Sequence, residues 1–157
     1  MVNNMSDLSA FIKSSVKPQV KYALQRTGKE VEQMVKDYIM QEMYSIMTSD
    51  YTRSYEFINS VSHTNVEIIG NMFKVTVYFD TDKIKPHIID GEWNQHADFY
   101  GNDVSDSLVL WIEEGTSNQF YSHPGINSME TVGSWTKKIK QGLEAHLVST
   151  GLNVRVR

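Results

Sequence analysis

The chain has 157 residues, with 15 Lys and Arg against 19 Asp and Glu, and no cysteine. This length is typical of one domain, so we expect a single domain over residues 1–157 with one core. The absence of cysteine excludes a disulfide framework, a thiolate metal site and a cysteine nucleophile. The first residues lack the basic start and apolar run of a signal peptide, and no apolar run is long enough to span a bilayer. We therefore expect a soluble protein made in the cytoplasm.

The net charge of −4 conceals an uneven distribution. Residues 80–114 hold 2 basic and 9 acidic residues, whereas residues 1–79 hold 8 of each and residues 115–157 hold 5 basic and 2 acidic. No basic stripe dominates the chain, which argues against a protein that binds nucleic acid by neutralising phosphates. The acidic segment is either a solvated loop or a contact surface.

The N-terminal third is predicted to be helical. Residues 1–17 form either a short helix or a mobile arm, and Pro18 suits the first position of the helix that follows. Apolar residues at helical spacing continue to about Met47, on the order of 45 Å at a rise of 1.5 Å per residue. Gly28 in this helix marks a bend or a close packing point. The first half carries cations, which form either a solvated face or a handle for an acidic neighbouring subunit: Lys17, Lys21, Arg26 and Lys29.

The centre of the chain is predicted to be a β-hairpin. The predicted strands are Val61–Ile69 and Met72–Phe79, and Gly70-Asn71 between them suits a tight turn. In the second strand, apolar residues alternate with Lys74, Thr76 and Tyr78. Residues 81–103 then form an irregular acidic loop excursion. We expect it to hold one short strand around Ile84–Ile89 and to serve as a contact surface.

The last third is predicted to contain two helices. Leu108–Ile112 forms either a buried strand or a short helix that brings Leu108, Trp111 and Ile112 to the core, with Asp103, Ser105 or Asp106 as its cap. Gly151 is predicted to end a long closing helix and residues 153–157 to add an edge strand. The apolar face of that helix steps by three and four residues through Met129, Val132, Trp135, Ile139, Leu143 and Leu147. We therefore predict an α+β fold, with a long N-terminal helix and a C-terminal helix packed on a small, mainly antiparallel sheet.

Oxygen and imidazole side chains in the acidic excursion are of the kind that bind hard or borderline metals. They lack the helical spacing and the loop pattern of a recognised metal site, so we predict no metal and no cofactor. Without a nucleophile motif either, we predict no catalytic residues. The alternative is a small metal-dependent hydrolase or nuclease that uses this set: Asp80, Asp82, His87, Asp90, Glu92, His96, Asp98 and His123.

The segment from Leu108 to Trp135 combines a short helix, a Glu-Glu-Gly-Thr stop, a proline-containing loop and the start of a closing helix. This arrangement resembles the neck proteins of tailed bacteriophages, the tail-component or tail-completion proteins of the head-to-tail joint. The order of elements over roughly residues 20–156 extends the resemblance. Arg53 matches the arginine that follows the first helix in that family, although Ser54 and Tyr55 stand where Thr-Gly is expected. The residues that match the main motif are Trp111, Ile112, Glu113, Glu114, Gly115, Thr116 and Pro124.

The resemblance implies a structural virion protein at the head–tail junction. It would form a homo-oligomeric ring, a hexamer or dodecamer, that contacts the connector and tail proteins and leaves a channel for double-stranded DNA, without sequence-specific binding and without a membrane. A tail-terminator or head-closure ring is the alternative within this class.

Two carboxylates in the last turn of a helix are disfavoured by the helix dipole by about 0.3–1 kcal/mol each. We therefore expect either that one of Glu113 and Glu114 binds a Lys or Arg of a neighbouring subunit or that both are solvated. The predicted subunit interface consists of Glu113, Glu114, Gly115, Thr116, Arg53, Lys21, Arg26 and Lys29.

Overall fold

The computed structural model describes residues 9, 12–45, 55–70, 72–85, 87–89, 93–95, 102–117 and 122–156. Side chains are not described for the residues 87–89, 93–95, 116, 117, 122 and 123. The fold mixes helices with short antiparallel sheets, which confirms the predicted α+β class. Two compact units are present, each assembled from separated segments, and the expectation of a single domain stays a prediction. Unit 1 consists of Met1–Val31, His63–Val77 and Trp135–Arg157, and unit 2 consists of Glu32–Ser62 and Tyr78–Ser134.

The long N-terminal helix, α1, covers Lys17–Ile39 and is flanked by π-helical turns over Ile12–Val16 and Met40–Tyr44. The helical run therefore begins before Pro18, so the prediction that Pro18 occupies the first position is wrong. A wider π turn directly before a proline accommodates its ring and its missing N–H within a continuous helix. The predicted end at Met47 lies outside the described residues.

The predicted hairpin is confirmed, although its ladder is interrupted. Ile69 lies opposite Met72, and Gly70 adopts a positive φ of 62°, which a tight two-residue turn requires. The four strands pair as β1 (Val61–His63) with β4 (Val77–Phe79), and β2 (Glu67–Ile69) with β3 (Met72–Lys74).

The base of this hairpin is fixed to α1 within unit 1. The Gln25 side-chain amide donates a hydrogen bond to the Thr64 carbonyl (3.4 Å), and its oxygen accepts one from the Val66 backbone N–H (2.9 Å). At Gly28, an added Cβ would lie 2.6 Å from a Val75 methyl, so the interpretation of Gly28 as a close packing point is confirmed. A side chain at this position would push the hairpin away from the helix.

The last helix, α5 (Thr136–Ser149), packs against the same half of α1. Glu30 Oε1 lies 2.7 Å from the buried His146 Nε2, and an added Cβ at Gly142 would lie 2.8 Å from the other Glu30 oxygen. The absence of a side chain at Gly142 therefore makes room for the Glu30 carboxylate. Gly151 ends this segment with a φ of 88°, as predicted.

Unit 2 contains the second half of α1 and most of the remaining elements. Its core includes Phe57 stacked on Phe79, with ring centroids 4.9 Å apart, and the fully buried Ile84 and Val132. Its further elements are α2 (Glu56–Ser60), a 3-10 turn (Thr81–Ile84), β5 (His87–Ile89), β6 (Trp93–Gln95), α3 (Ser105–Glu114), β7 (Gly115–Ser117), β8 (Ser122–Pro124) and α4 (Ser128–Ser134).

Several predicted elements differ in detail. The segment Leu108–Ile112 is helical, which excludes the alternative of a strand. The loop excursion holds a pair of strands, β5 with β6, where one strand was predicted. The closing helix is divided at Trp135 into α4 and α5, and the described residues 153–156 form no strand. Among the described residues the strands form four separate two-stranded sheets, where one small sheet was predicted.

Within the described part of the chain, no helix is both long enough and apolar enough to cross a membrane.

Candidate subunit interface

The start of α3 is fixed by a side chain that precedes it. Asp103 Oδ1 accepts hydrogen bonds from the Ser105 backbone N–H (2.8 Å) and the Ser105 hydroxyl (2.6 Å), and the Lys85 ammonium lies 3.2 Å from the other oxygen. The Ser105 hydrogen bonds, together with Lys85, lower the pKa of Asp103 below its ordinary value. Of the three predicted caps, Asp103 is therefore the residue whose carboxylate accepts hydrogen bonds from the first turn of α3.

Helix α3 presents an inner and an outer face. Ser105 and Ile112 on the inner face are buried. Leu110, Trp111 and Glu114 lie one to four positions apart on the other side of the helix, where Leu110 is 51% exposed and Trp111 is 44% exposed. The prediction that Trp111 returns to the core is therefore wrong. We call Leu110, Trp111 and Glu114 the α3 outer face.

Glu113 points away from this outer face and toward the next helix. Its Oε1 accepts a hydrogen bond from the buried Ser128 hydroxyl (2.6 Å), and its Oε2 accepts one from the Met129 backbone N–H (3.1 Å). These groups belong to the first turn of α4, where a carboxylate caps free N–H groups and meets a favourable helix dipole. An intramolecular cap therefore accounts for Glu113, whereas Glu114 is exposed to solvent.

The Gly-Thr part of the motif ends α3 and starts a strand pair. Gly115 has a φ of 89° and a backbone N–H that bonds the Trp111 carbonyl, a conformation that favours glycine. In the β7–β8 pair, Gly115 lies opposite Pro124 and Thr116 lies opposite His123. The Gly-Thr and His-Pro segments that carry the sequence resemblance thus meet in one backbone ladder.

The chain after Pro124 lies directly on the end of α3. The Ile126 N–H bonds the Ile112 carbonyl (3.0 Å), and the Asn127 N–H bonds the Glu113 carbonyl (2.9 Å). An added Cβ at Gly125 would clash with the Glu113 carbonyl oxygen, so this position admits no side chain without a backbone shift. The motif therefore builds a tight corner whose free surface is the α3 outer face.

The predicted cations of α1 are exposed in unit 1. Lys21, Arg26 and Lys29 all face solvent, together with Tyr22, which is 54% exposed. The Arg26 guanidinium lies 5.8 Å from the centre of the Tyr22 ring, within cation–π range, so Tyr22 orients it. We call Lys21, Tyr22, Arg26 and Lys29 the α1 cationic face. Arg53, the remaining predicted interface cation, lies outside the described residues.

The two units differ strongly in charge. Over its sequence ranges, unit 1 has 11 Lys and Arg and 4 Asp and Glu, a net charge of +7, whereas unit 2 has 4 and 15, a net charge of −11; together they give the −4 of the chain. The α1 cationic face belongs to the basic unit, and the α3 outer face belongs to the acidic unit. The predicted interface residues are thus divided between two fields of opposite sign.

The predicted metal ligands are only partly described. Asp80 forms an ion pair with Lys83, with 3.6 Å between its carboxylate and the ammonium nitrogen. Asp82 forms one with Lys85, with 3.4 Å between the corresponding atoms. Over the described residues, no group of three or more His, Asp or Glu is arranged to hold a metal ion. The other candidates lie outside the described residues or lack described side chains: His87, Asp90, Glu92, His96, Asp98 and His123.

Comparison with known proteins gives no assignment: no family model matches the chain, no characterised protein matches its sequence, and no solved structure matches it.

Proposed function

We propose that this chain is a structural virion protein of a tailed bacteriophage, a ring subunit at the head–tail junction that completes the tail or joins it to the capsid connector. The observation that carries the proposal is the division of the interface candidates between a unit of net charge +7 and a unit of net charge −11. The sequence resemblance around Glu113-Glu114-Gly115-Thr116 supplies the biological setting.

Opposite charge on two different surfaces favours head-to-tail association. When one surface of a subunit meets a different surface of the next, repetition of that contact closes into a ring if the rotation between subunits allows it. The α1 cationic face of one copy would meet the acidic α3 outer face of the next copy. Complementary charge sets the register and orientation of such a contact more than its affinity.

Apolar burial has to supply most of the affinity. An exposed ion pair contributes about 0.2–1 kcal/mol, so Lys21, Arg26 and Lys29 acting on Glu114 would not hold a ring together. Leu110 and Trp111 lie beside Glu114 and are exposed by about half, and tryptophan is among the residues that contribute most to protein interfaces. The α3 outer face therefore combines an apolar centre with a charged edge.

The acidic unit also suits a channel for DNA. An acidic lumen repels the phosphate backbone, so double-stranded DNA would slide through a hexameric or dodecameric ring without sequence-specific binding. A tail-terminator or head-closure ring would use the same surfaces at the same junction. A basic lumen in an assembled ring would contradict this part of the proposal.

A charge swap tests the head-to-tail contact. Variant A carries Lys21→Glu, Arg26→Glu and Lys29→Glu, and variant B carries Glu114→Lys. Each should fail to form rings alone, because like charges then face each other. An equimolar mixture should form rings, because both A-to-B and B-to-A contacts are attractive.

Light scattering after size exclusion and electron microscopy measure the outcome. Lys137→Glu/Lys138→Glu/Lys140→Glu on α5 reverses three exposed cations, as variant A does, and is the matched control for loss of positive charge in unit 1. Rings from variant A alone would contradict the contact. A wild-type chain that forms no ring, either alone or on capsids that carry their connector, would contradict the function. Calorimetric titration with Mn, Mg and Zn tests the enzyme alternative, which predicts metal binding and EDTA-sensitive hydrolysis.

A further inference from the structure

The tip of the β2–β3 hairpin exposes apolar side chains on both faces. Ile69 pairs with Met72 and Ile68 pairs with Phe73, and neighbouring residues in a strand point to opposite faces. One face therefore carries Ile69 and Met72, and the other carries Ile68 and Phe73. Ile68 is 50% exposed, Ile69 is 52% exposed and Met72 is 67% exposed. We call Ile68, Ile69 and Met72 the hairpin tip.

Exposure of this kind is unusual for a two-stranded hairpin. A two-stranded hairpin in water normally turns a polar face to solvent and is at best marginally stable without packing on another element. Here the base packs on α1 through Gln25, while the tip beyond Glu67 and Lys74 remains uncovered. A cluster of exposed apolar side chains on a projecting element is typical of a docking site.

We propose that the hairpin tip docks on unit 2 of a second copy of this chain, with the α3 outer face as one wall of its site. The proposal rests on the proposed function in that it specifies the apolar part of the same head-to-tail contact. Because both faces of the tip are apolar, the partner has to enclose the tip, since a one-sided contact would leave half of it in water.

Charge identifies the second copy as the partner. The tip belongs to the unit of net charge +7, so its partner should be acidic, and unit 2 carries −11. Unit 2 also offers Leu110 and Trp111, exposed by 51% and 44%, beside Glu114. The Met72 thioether against an indole ring would add a favourable sulfur–aromatic contact. Donor and acceptor surfaces differ, so the contact is head-to-tail.

Engineered cysteines test this contact directly, because the chain has no cysteine of its own. Met72→Cys and Leu110→Cys are introduced into separate copies, which are mixed and treated with a short bismaleimide. The mixture should give a covalent dimer, and either variant alone should give at least tenfold less. Val148→Cys replaces Met72→Cys in the matched control, because Val148 is 53% exposed on α5 of the same unit.

A second variant tests the tip without cross-linking. Ile69→Thr/Met72→Thr places a strand-forming residue at both positions and removes the apolar surface of one face of the tip. The urea midpoint should therefore change little, while assembly weakens at least tenfold. High salt should weaken assembly of the wild type less than it weakens assembly of Ile69→Thr/Met72→Thr, because apolar burial is not screened by salt.

The outcomes separate the two proposals. Cross-linked dimers without rings would support the tip contact and contradict the ring function. Rings that form equally well from Ile69→Thr/Met72→Thr, with no product from the cysteine mixture, would overturn the tip contact and leave the ring. Binding of the wild type, but not of this double variant, to phosphatidylcholine–phosphatidylserine vesicles, with no cross-linked product, would also overturn the contact and assign the tip to a membrane.

Discussion

Removal of the Glu113 carboxylate should destabilise the folded chain, whereas removal of the neighbouring Glu114 carboxylate should not. Glu113 bonds the Ser128 hydroxyl and the Met129 N–H at the start of α4, and Ser128 is fully buried. Glu114 is exposed on the outer face of α3. The two adjacent glutamates therefore form a matched pair in which only the direction of the side chain differs.

The expected magnitude follows from these two hydrogen bonds. Loss of a helix cap costs about 0.5–2 kcal/mol. A buried hydroxyl left without its acceptor costs about 1–3 kcal/mol, although water entering the space beside Ser128 would recover part of this. We expect Glu113→Ala to lower the free energy of unfolding by about 2–3 kcal/mol. Glu113→Gln, which keeps one acceptor oxygen, should lower it by about 1 kcal/mol.

Urea denaturation followed by circular dichroism measures both changes, with Glu114→Ala and Glu114→Gln as controls within about 0.5 kcal/mol of wild type. Equal effects of Glu113→Ala and Glu114→Ala would refute the inward orientation of Glu113. If Glu113→Gln lost ring formation with unchanged stability, that result would instead support the sequence prediction that Glu113 belongs to the subunit interface.

Three further predictions concern packing and pH. Gly125→Ala should lower the free energy of unfolding by about 1–3 kcal/mol through its clash with α3, whereas Gly133→Ala in α4, with open space around it, should raise it by about 0.5–1 kcal/mol; equal effects in urea titrations would contradict the corner. Gly28→Ala should destabilise through its contact with Val75, and Val75→Ala should relieve that effect, so a double-mutant cycle without coupling would contradict the contact. Because the pKa of Asp103 is lowered in the folded state, its stabilisation is present above its ordinary pKa of about 4 and is lost as the pH falls through the folded-state value. Asp103→Asn should thus be less stable than wild type at neutral pH, and the gap should narrow in acid; a constant gap would contradict the cap.

Local sequence patterns predicted the types of the elements well. The Gly70-Asn71 turn and the alternating strand after it predicted the hairpin, because both signals are carried by neighbouring residues in the sequence. Gly115 and Gly151 marked chain reversals because a positive φ favours glycine. Pro18 gave a wrong prediction of the helix start, because the chain is already helical before it. The preceding π turn depends on the backbone path of the whole helix and has no residue pattern of its own.

The direction of side chains was harder to predict. Trp111 and Ile112 are adjacent apolar residues, yet Ile112 is buried and Trp111 is exposed. Which side of α3 is buried depends on the elements packed against the helix, and the sequence of α3 alone does not reveal it. The partners of Glu113 lie 15 and 16 residues further along the chain, so helix-dipole reasoning within α3 missed the cap that it supplies to α4. Glu30 and His146 are also far apart in sequence, so spacing could not predict their contact. Gly142, one turn before His146, was a usable signal, because a glycine within a helix often marks a close approach by another group.

The divided roles of Glu113 and Glu114 give the Glu-Glu-Gly-Thr motif a physical meaning. Glu113 turns inward and fixes α4, Gly115 ends α3, and Gly125 lets the following chain lie against that end. These three positions make a corner whose geometry does not depend on a partner. A corner held this firmly orders the α3 outer face before association, so less conformational entropy is lost when a partner binds. A surface that exposes Trp111 and an acidic residue on such a support is suited to binding another protein.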